Sequence, residues 1–199
     1  MTTWLIAGLG NPGREYANHR HNVGFMAVDA LAEKYGSGAW KNVFQSQVHS
    51  ATIDGQNVLL QKPQTYMNLS GEAVGACARF YKIPVENIIA IHDELDIPAM
   101  TARIKQGGGN GGHNGLKSID QHVGNNYWRI RLGIGHPGDK EMVTSHVLNN
   151  FLKDEQPDLE KLLQGLVKEF GLMFEGGAGK LAALISKKEE KVKEEKDGV

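Results

Sequence analysis

The chain has 199 residues and a mass of 21.8 kDa, which suits one domain or two very small ones. Apolar residues at 40% can build a sizeable core, and 22 Lys+Arg against 23 Asp+Glu exclude both an acidic disordered chain and a uniformly basic nucleic-acid coat. No apolar run approaches the ~20 residues that span a bilayer, and the segment MTTWLIAGLGNPG has neither the basic n-region nor the long apolar stretch of a secretory leader. One cysteine, Cys77, excludes an intrachain disulfide and a Cys-x-x-Cys metal site. A cytoplasmic protein with no membrane partner is the expectation.

In chain order, Thr3–Ala7 is a short apolar run ending at Gly8 and is predicted to be a buried first strand. Val28, Leu31, Ala32 and Tyr35 recur at i, i+3, i+4, i+7 and predict a helix that Gly36-Ser37-Gly38 stops. Val48–Ile53 and Asn57–Leu60 flank Asp54-Gly55, a hairpin signal. Val74, Cys77, Ala78 and Tyr81 predict a second helix with Ser70 as N-cap and Pro84 beyond its end; Cys77 is then a buried, inert thiol. Ile88–Ile91 predicts a buried strand running into His92-Asp93-Glu94. Thr101–Lys105 and Trp128–Ile134 alternate, so Arg103 and Lys105, and likewise Arg129 and Arg131, are expected to protrude from one face of their strands.

Leu116, Ile119 and Val123 mark a helix behind the glycine-rich segment 107–115. Leu159, Leu162, Leu163, Leu166, Val167 and Phe170 mark a long amphipathic helix. Strands and helices interleave, so the fold class is α/β: a single domain over 1–186 with a mixed, mostly parallel sheet surrounded by helices. Residues 187–199 hold five cations and five anions within KKEEKVKEEKD and are expected to be a frayed helix or a disordered tail.

Gly8-Leu-Gly10-Asn-Pro-Gly13 spells a dinucleotide fingerprint. That chemistry needs a helix to start inside the motif and an acidic residue closing a second strand about 20 positions later. Here Arg14–Asn22 has no apolar period, and the motif reads better as a glycine-permitted loop that leaves Asn11 free to project into a site. Arg20-His21-Asn22, Met67-Asn68, His92-Asp93 and Gly107–Gly115 also follow predicted strands or open predicted helices, where open α/β sheets place their sites. Each residue has an ordinary structural alternative: a cap for Asp93, a turn for Asn68, the N-cap of the next helix for Asn114. No Gly-x-Ser-x-Gly elbow and no His-Glu-x-x-His motif is present, and the histidines lie too far apart in sequence to argue a metal. What remains is a histidine to activate water, a carboxylate to hold its tautomer, and neutral amides for a carbonyl or oxyanion. Such a set suits a hydrolase that forms no covalent intermediate.

Taken together, Gly8–Gly13, Arg20-His21-Asn22, Thr65–Gly71, His92–Asp96, Gly107–Gly115 followed by Leu116, and Gly133–Gly138 resemble the bacterial peptidyl-tRNA hydrolases, in the family's order across residues 8–138. The resemblance implies a monomeric α/β enzyme of translation and ribosome rescue. It would cleave the ester between a peptide and the terminal ribose of tRNA, with no cofactor and no metal. By position it implies His21 as general base, Asp93 as its partner, and Asn11 as a catalytic residue that helps distinguish an N-blocked peptide from a free aminoacyl group. Met67, Asn68, His113 and Asn114 would hold the substrate, Tyr16 and Tyr66 would line the site, and residues 107–112 would form a mobile lip. Asn110 departs from relatives that carry histidine there.

Residues 101–140 hold six cations against two anions, and Arg103, Lys105 and Arg131 are the expected tRNA-binding residues, suited to phosphates because backbone contacts carry no sequence information. Two other readings compete. One is an RNA-binding protein that has lost catalysis; the other is a metal-dependent hydrolase using His19, His21, His92 and Asp93.

Overall fold

The computed structural model describes residues 2–185, so the expected tail at 187–199 lies outside the described residues. Seven strands, β1 (Thr3–Gly8), β2 (Gly36–Val43), β3 (Ser46–Ile53), β4 (Gln56–Pro63), β5 (Ile88–Glu94), β6 (Ala102–Gln106) and β7 (Trp128–Gly133), form one sheet in the order β2-β3-β4-β1-β5-β7-β6. The helices are α1 (Val23–Tyr35), α2 (Ser70–Tyr81), α3 (Asn114–Val123), α4 (Val143–Val147), α5 (Gln156–Glu169) and α6 (Ala178–Ile185). Among the described residues no helix is long and apolar enough to cross a membrane.

The mixed sheet is as expected, but parallel pairing is confined to its centre, where β4-β1-β5-β7 run together. The three pairings at the two edges are antiparallel, so parallel and antiparallel ladders balance. The Asp54-Gly55 turn forms the expected hairpin, with both residues at positive φ (46° and 76°) as a tight two-residue connection requires.

Helices cover both faces, which is why residues on both faces of the central strands are buried. Ile6, Leu60, Ile89, Ile91, Ile130 and Leu132 pack with residues of α1, α5 and α6. Leu5, Ala7, Leu59, Ile88 and Ala90 pack on the other face with Val74 and Cys77 of α2 and with Leu116 and Ile119 of α3. Cys77 is buried as expected, and burial pushes its thiol up to about 12, so it is inert at neutral pH.

Two glycine contacts set the site's frame. A Cβ on Gly24 would lie 2.3 Å from the Ile91 carbonyl oxygen and 2.4 Å from the Leu9 nitrogen, so only glycine lets the start of α1 rest on the ends of β1 and β5. A Cβ on Gly71 would lie 2.0 Å from the Ser118 carbonyl oxygen, which lets α2 and α3 cross closely; the Gly71 N–H also donates to Ser118 Oγ at 2.9 Å.

Two local expectations are corrected. Ser70 does not cap α2: its hydroxyl donates to the Met67 carbonyl at 2.7 Å and closes the preceding turn. Arg129 does not protrude from β7. Its strand is covered on both faces, and its guanidinium is 0% exposed, donating to the carbonyls of Gly108 (2.8 Å) and Gly109 and to Asp120 (3.2 Å).

Candidate active site

The carboxyl ends of β1, β4 and β5 lie side by side, so the segments that follow them meet in one place. β1 delivers Asn11, β4 delivers Tyr66-Met67-Asn68, and β5 delivers Asp93. The 3₁₀ turn Arg20–Asn22, just ahead of α1, adds His21. The glycine-rich segment arrives differently. β6 runs antiparallel to β7 and ends beside the start of β7, at the amino ends of the parallel strands, so residues 107–112 climb back toward the site. Buried Arg129 holds the carbonyls of Gly108 and Gly109 along that climb, and Asn110 spans the turn by donating to Asp120 (3.2 Å) and accepting from the Gly112 N–H (3.1 Å). The expected lip is therefore a tethered segment that delivers His113 and Asn114.

Asp93, 4% exposed, is the centre of the arrangement. Its oxygens lie 2.9 Å from His21 Nδ1, and Oδ1 also lies 2.9 Å from His113 Nε2. Burial works against the carboxylate, but the two neighbouring imidazoles, His21 and His113, and the hydrogen bonds they donate hold Asp93 well below the usual carboxylate range. An ionised carboxylate only accepts, so both facing ring nitrogens carry protons. His113 confirms this from its other side: Nδ1 accepts the N–H groups of Gly115 (3.1 Å) and Leu116 (3.4 Å), capping α3. In His21 the proton sits on Nδ1, and Nε2 keeps its lone pair at the wall of the cleft. Burial lowers the His21 pKa, and the charge and hydrogen bond of Asp93 outweigh it, leaving the base above its ordinary 6.5.

His92 belongs elsewhere. It is buried, its Nδ1 bonds the Asp93 carbonyl at 2.7 Å, and burial with the neighbouring His113 pushes its pKa down to about 3, so it is neutral at physiological pH.

A cleft of about 930 Å³ opens above Asp93, with Asn11, Tyr66, Met67, Asn68, Asn114 and His21 among its walls. Leu95, Val143, Val147 and Leu148 add apolar lining, and Glu94, Asp96, His136 and Lys140 polar lining. Asn11 is less free than expected. Its Oδ1 accepts the Met67 N–H at 2.8 Å, which turns Nδ2, a donor, toward the cleft. The device that holds it escaped the sequence reading: buried Asn22 exchanges two 2.9 Å hydrogen bonds with the Asn11 backbone. Asn114 opens α3 but does not cap it, since His113 does. Tyr16 is not in the cleft wall; its ring meets His19 edge-on at 5.4 Å.

Of the expected cations, Arg103 and Lys105 lie on edge strand β6, opposite Arg131 and Arg129 of β7. The register sets these cations close together, and desolvation with the charges of Arg131 and Arg129 lowers the Lys105 pKa. Arg131 is already paired, its Nε donating to Glu94 at 3.0 Å.

Distance in sequence concealed one cluster: His21, Asp93 and His113 place ligand-type atoms within 4.8 Å of one another. A metal there would bind two ring nitrogens that now donate to Asp93, and His113 would have to give up its cap of α3. The observed bonding fits a proton-holding triad better than a metal centre.

The peptidyl-tRNA hydrolase family model matches residues 5–195. A peptidyl-tRNA hydrolase of Rhodospirillum centenum is 56% identical over 182 residues, covering 92% of this chain and 80% of the relative. One of Bartonella quintana is 53% identical, covering 87% and 90%. The crystal structure of peptidyl-tRNA hydrolase from Acinetobacter baumannii superposes with a TM-score of 0.86 at 42% identity, covering 92% of this chain and 94% of that one.

Proposed function

Because the chain belongs to the peptidyl-tRNA hydrolase family, we propose that it hydrolyses the ester joining a peptide to the terminal ribose of tRNA through a water activated by His21. The observation that carries this reading is the Asp93 triad, which leaves one lone pair, on His21 Nε2, at the wall of a cleft lined by amides. Nε2 takes a proton as the water oxygen bonds to the ester carbonyl carbon. Asp93 supports the imidazolium that forms. The tetrahedral intermediate collapses with cleavage of the bond from carbon to ribose oxygen, and His21 returns the proton to that oxygen. The products are a peptide carboxylic acid and a tRNA hydroxyl, with no bond to the protein at any stage.

The amides divide the remaining work. Asn114 and Asn68 supply donors for the carbonyl and its developing oxyanion. Asn11 offers Nδ2 as a donor, which suits the carbonyl oxygen of a blocked amino group and repels a free ammonium, itself only a donor. Exposed Tyr66 gives a ring on which a terminal base can stack, and Arg103 and Lys105, joined by Arg131 where a phosphate displaces Glu94 from it, meet the phosphates. The protein acts as a cytoplasmic monomer, without a cofactor, and returns tRNA to translation.

Incubation with N-acetyl-aminoacyl-tRNA and with unblocked aminoacyl-tRNA tests the reading. Rapid ester cleavage of the first and sparing of the second is expected. Equal cleavage of both would remove the role given to Asn11, and cleavage of neither would remove the function.

A further inference from the structure

His21 stands on a single 3₁₀ turn, a conformation too short to hold an imidazole by its own backbone bonds. The side chain before it, Arg20, is 5% exposed and points away from the cleft into the segment that joins α4 to α5. Its Nη1 donates to the carbonyls of Asn150 (2.8 Å) and Asn149 (3.4 Å), and its Nη2 to Glu155 Oε2 (2.8 Å). The guanidinium carbon lies 5.5 Å from the centroid of the Phe151 ring. Backbone bonds reinforce the join: the Arg20 N–H donates to Asn149 at 3.0 Å, the Phe151 N–H donates to Asn18 at 3.4 Å, and His19 bridges Asn150. Just upstream, α4 contributes Val143, Thr144 and Val147 to the lining of the cleft.

We infer that Arg20 is a positioning residue: one buried guanidinium locks the turn that carries the base to the wall against which the substrate lies. The inference rests on the reading of His21 as general base. Arginine is required because its planar fork serves two carbonyls and a carboxylate at once, which a lysine ammonium on a flexible stem does not reproduce. The groups that face His21 itself are Asp93 from β5 and His113 ahead of α3. A loosened turn lengthens the contact to Asp93 without changing either partner.

The test is Arg20→Lys, with Glu155→Gln as the milder change at the same lock, in steady-state cleavage of N-acetyl-aminoacyl-tRNA across pH. A displacement of about 1 Å can cost about 10²-fold. In Arg20→Lys the expected result is a fall in kcat of at least about tenfold, KM within about threefold, and an acid limb moved to lower pH as Asp93 supports His21 less. Added guanidinium at low millimolar concentration should restore part of kcat in Arg20→Ala, whose cavity admits it. A folded Arg20→Lys with unchanged kcat and pH profile would overturn the inference. If that variant does not fold, Glu155→Gln decides: a smaller shift of the same kind supports the lock, and an unchanged acid limb overturns it. His21→Ala in the same assay separates the two readings, because an active His21→Ala would remove the base itself.

Discussion

His21 and Asp93 are 72 positions apart, yet the chemistry at the residue scale is the bond between them. His21→Ala should lose most of the general-base contribution, typically about 10²–10⁴-fold, with the fold intact because His21 is outside both apolar clusters; steady-state kinetics with circular dichroism checks this. Asp93→Asn removes the charge that holds the His21 pKa above 6.5, so burial then prevails and the pKa falls. The acid limb of kcat/KM should move to lower pH while the maximal rate drops, since the imidazolium loses its support. An unchanged limb and rate would reduce Asp93 to a turn residue. The structure brings His21, Asp93, Asn68 and Asn114 to one cleft, as their places after strands and at helix starts led us to expect. Asn22 and the capping role of His113 were not legible in the sequence, because their partners are backbone groups that only the folded chain brings near.

At the scale of elements, strong periodicity read well and edges read poorly. The hairpin of β3 and β4 and the helices α1, α2, α3 and α5 stood in the sequence as spacing and turn chemistry. β2 did not: it is an exposed edge strand containing glycines, with no alternation to betray it. α4 and α6 are too short for their spacing to stand out. In β7, alternation implied a solvent face, but the segment 107–112 covers that face and Arg129 is buried holding it. The Gly24 contact joins α1 to two strand ends, and His21 rides on that junction. Gly24→Ala should therefore lift the start of α1, lower the thermal midpoint, and cost about 1–3 kcal/mol by overpacking. It should also depress kcat at temperatures well below unfolding. Loss of stability with full activity in the folded protein would show that the junction does not position the base.

For the whole molecule, charge and chemistry occupy neighbouring regions of one sheet. The cationic surface is smaller than residues 101–140 suggested, since Arg129 is internal and Arg131 is paired with Glu94. Lys105→Ala should raise KM for full-length substrate and reduce the log–log salt slope by about one unit, leaving cleavage of a short acylated fragment unchanged. Equal losses on both substrates would place Lys105 in the fold or the cleft instead.

The central claim is that water, activated by His21, attacks the ester directly. Rapid-quench single turnover with enzyme in excess over a doubly labelled peptidyl-tRNA follows the release of peptide and tRNA separately, with mass spectrometry of the quenched protein. The account predicts that both products appear at one rate and that the protein mass never increases. Release of tRNA ahead of free peptide, with the peptide's mass found on the protein, would contradict it.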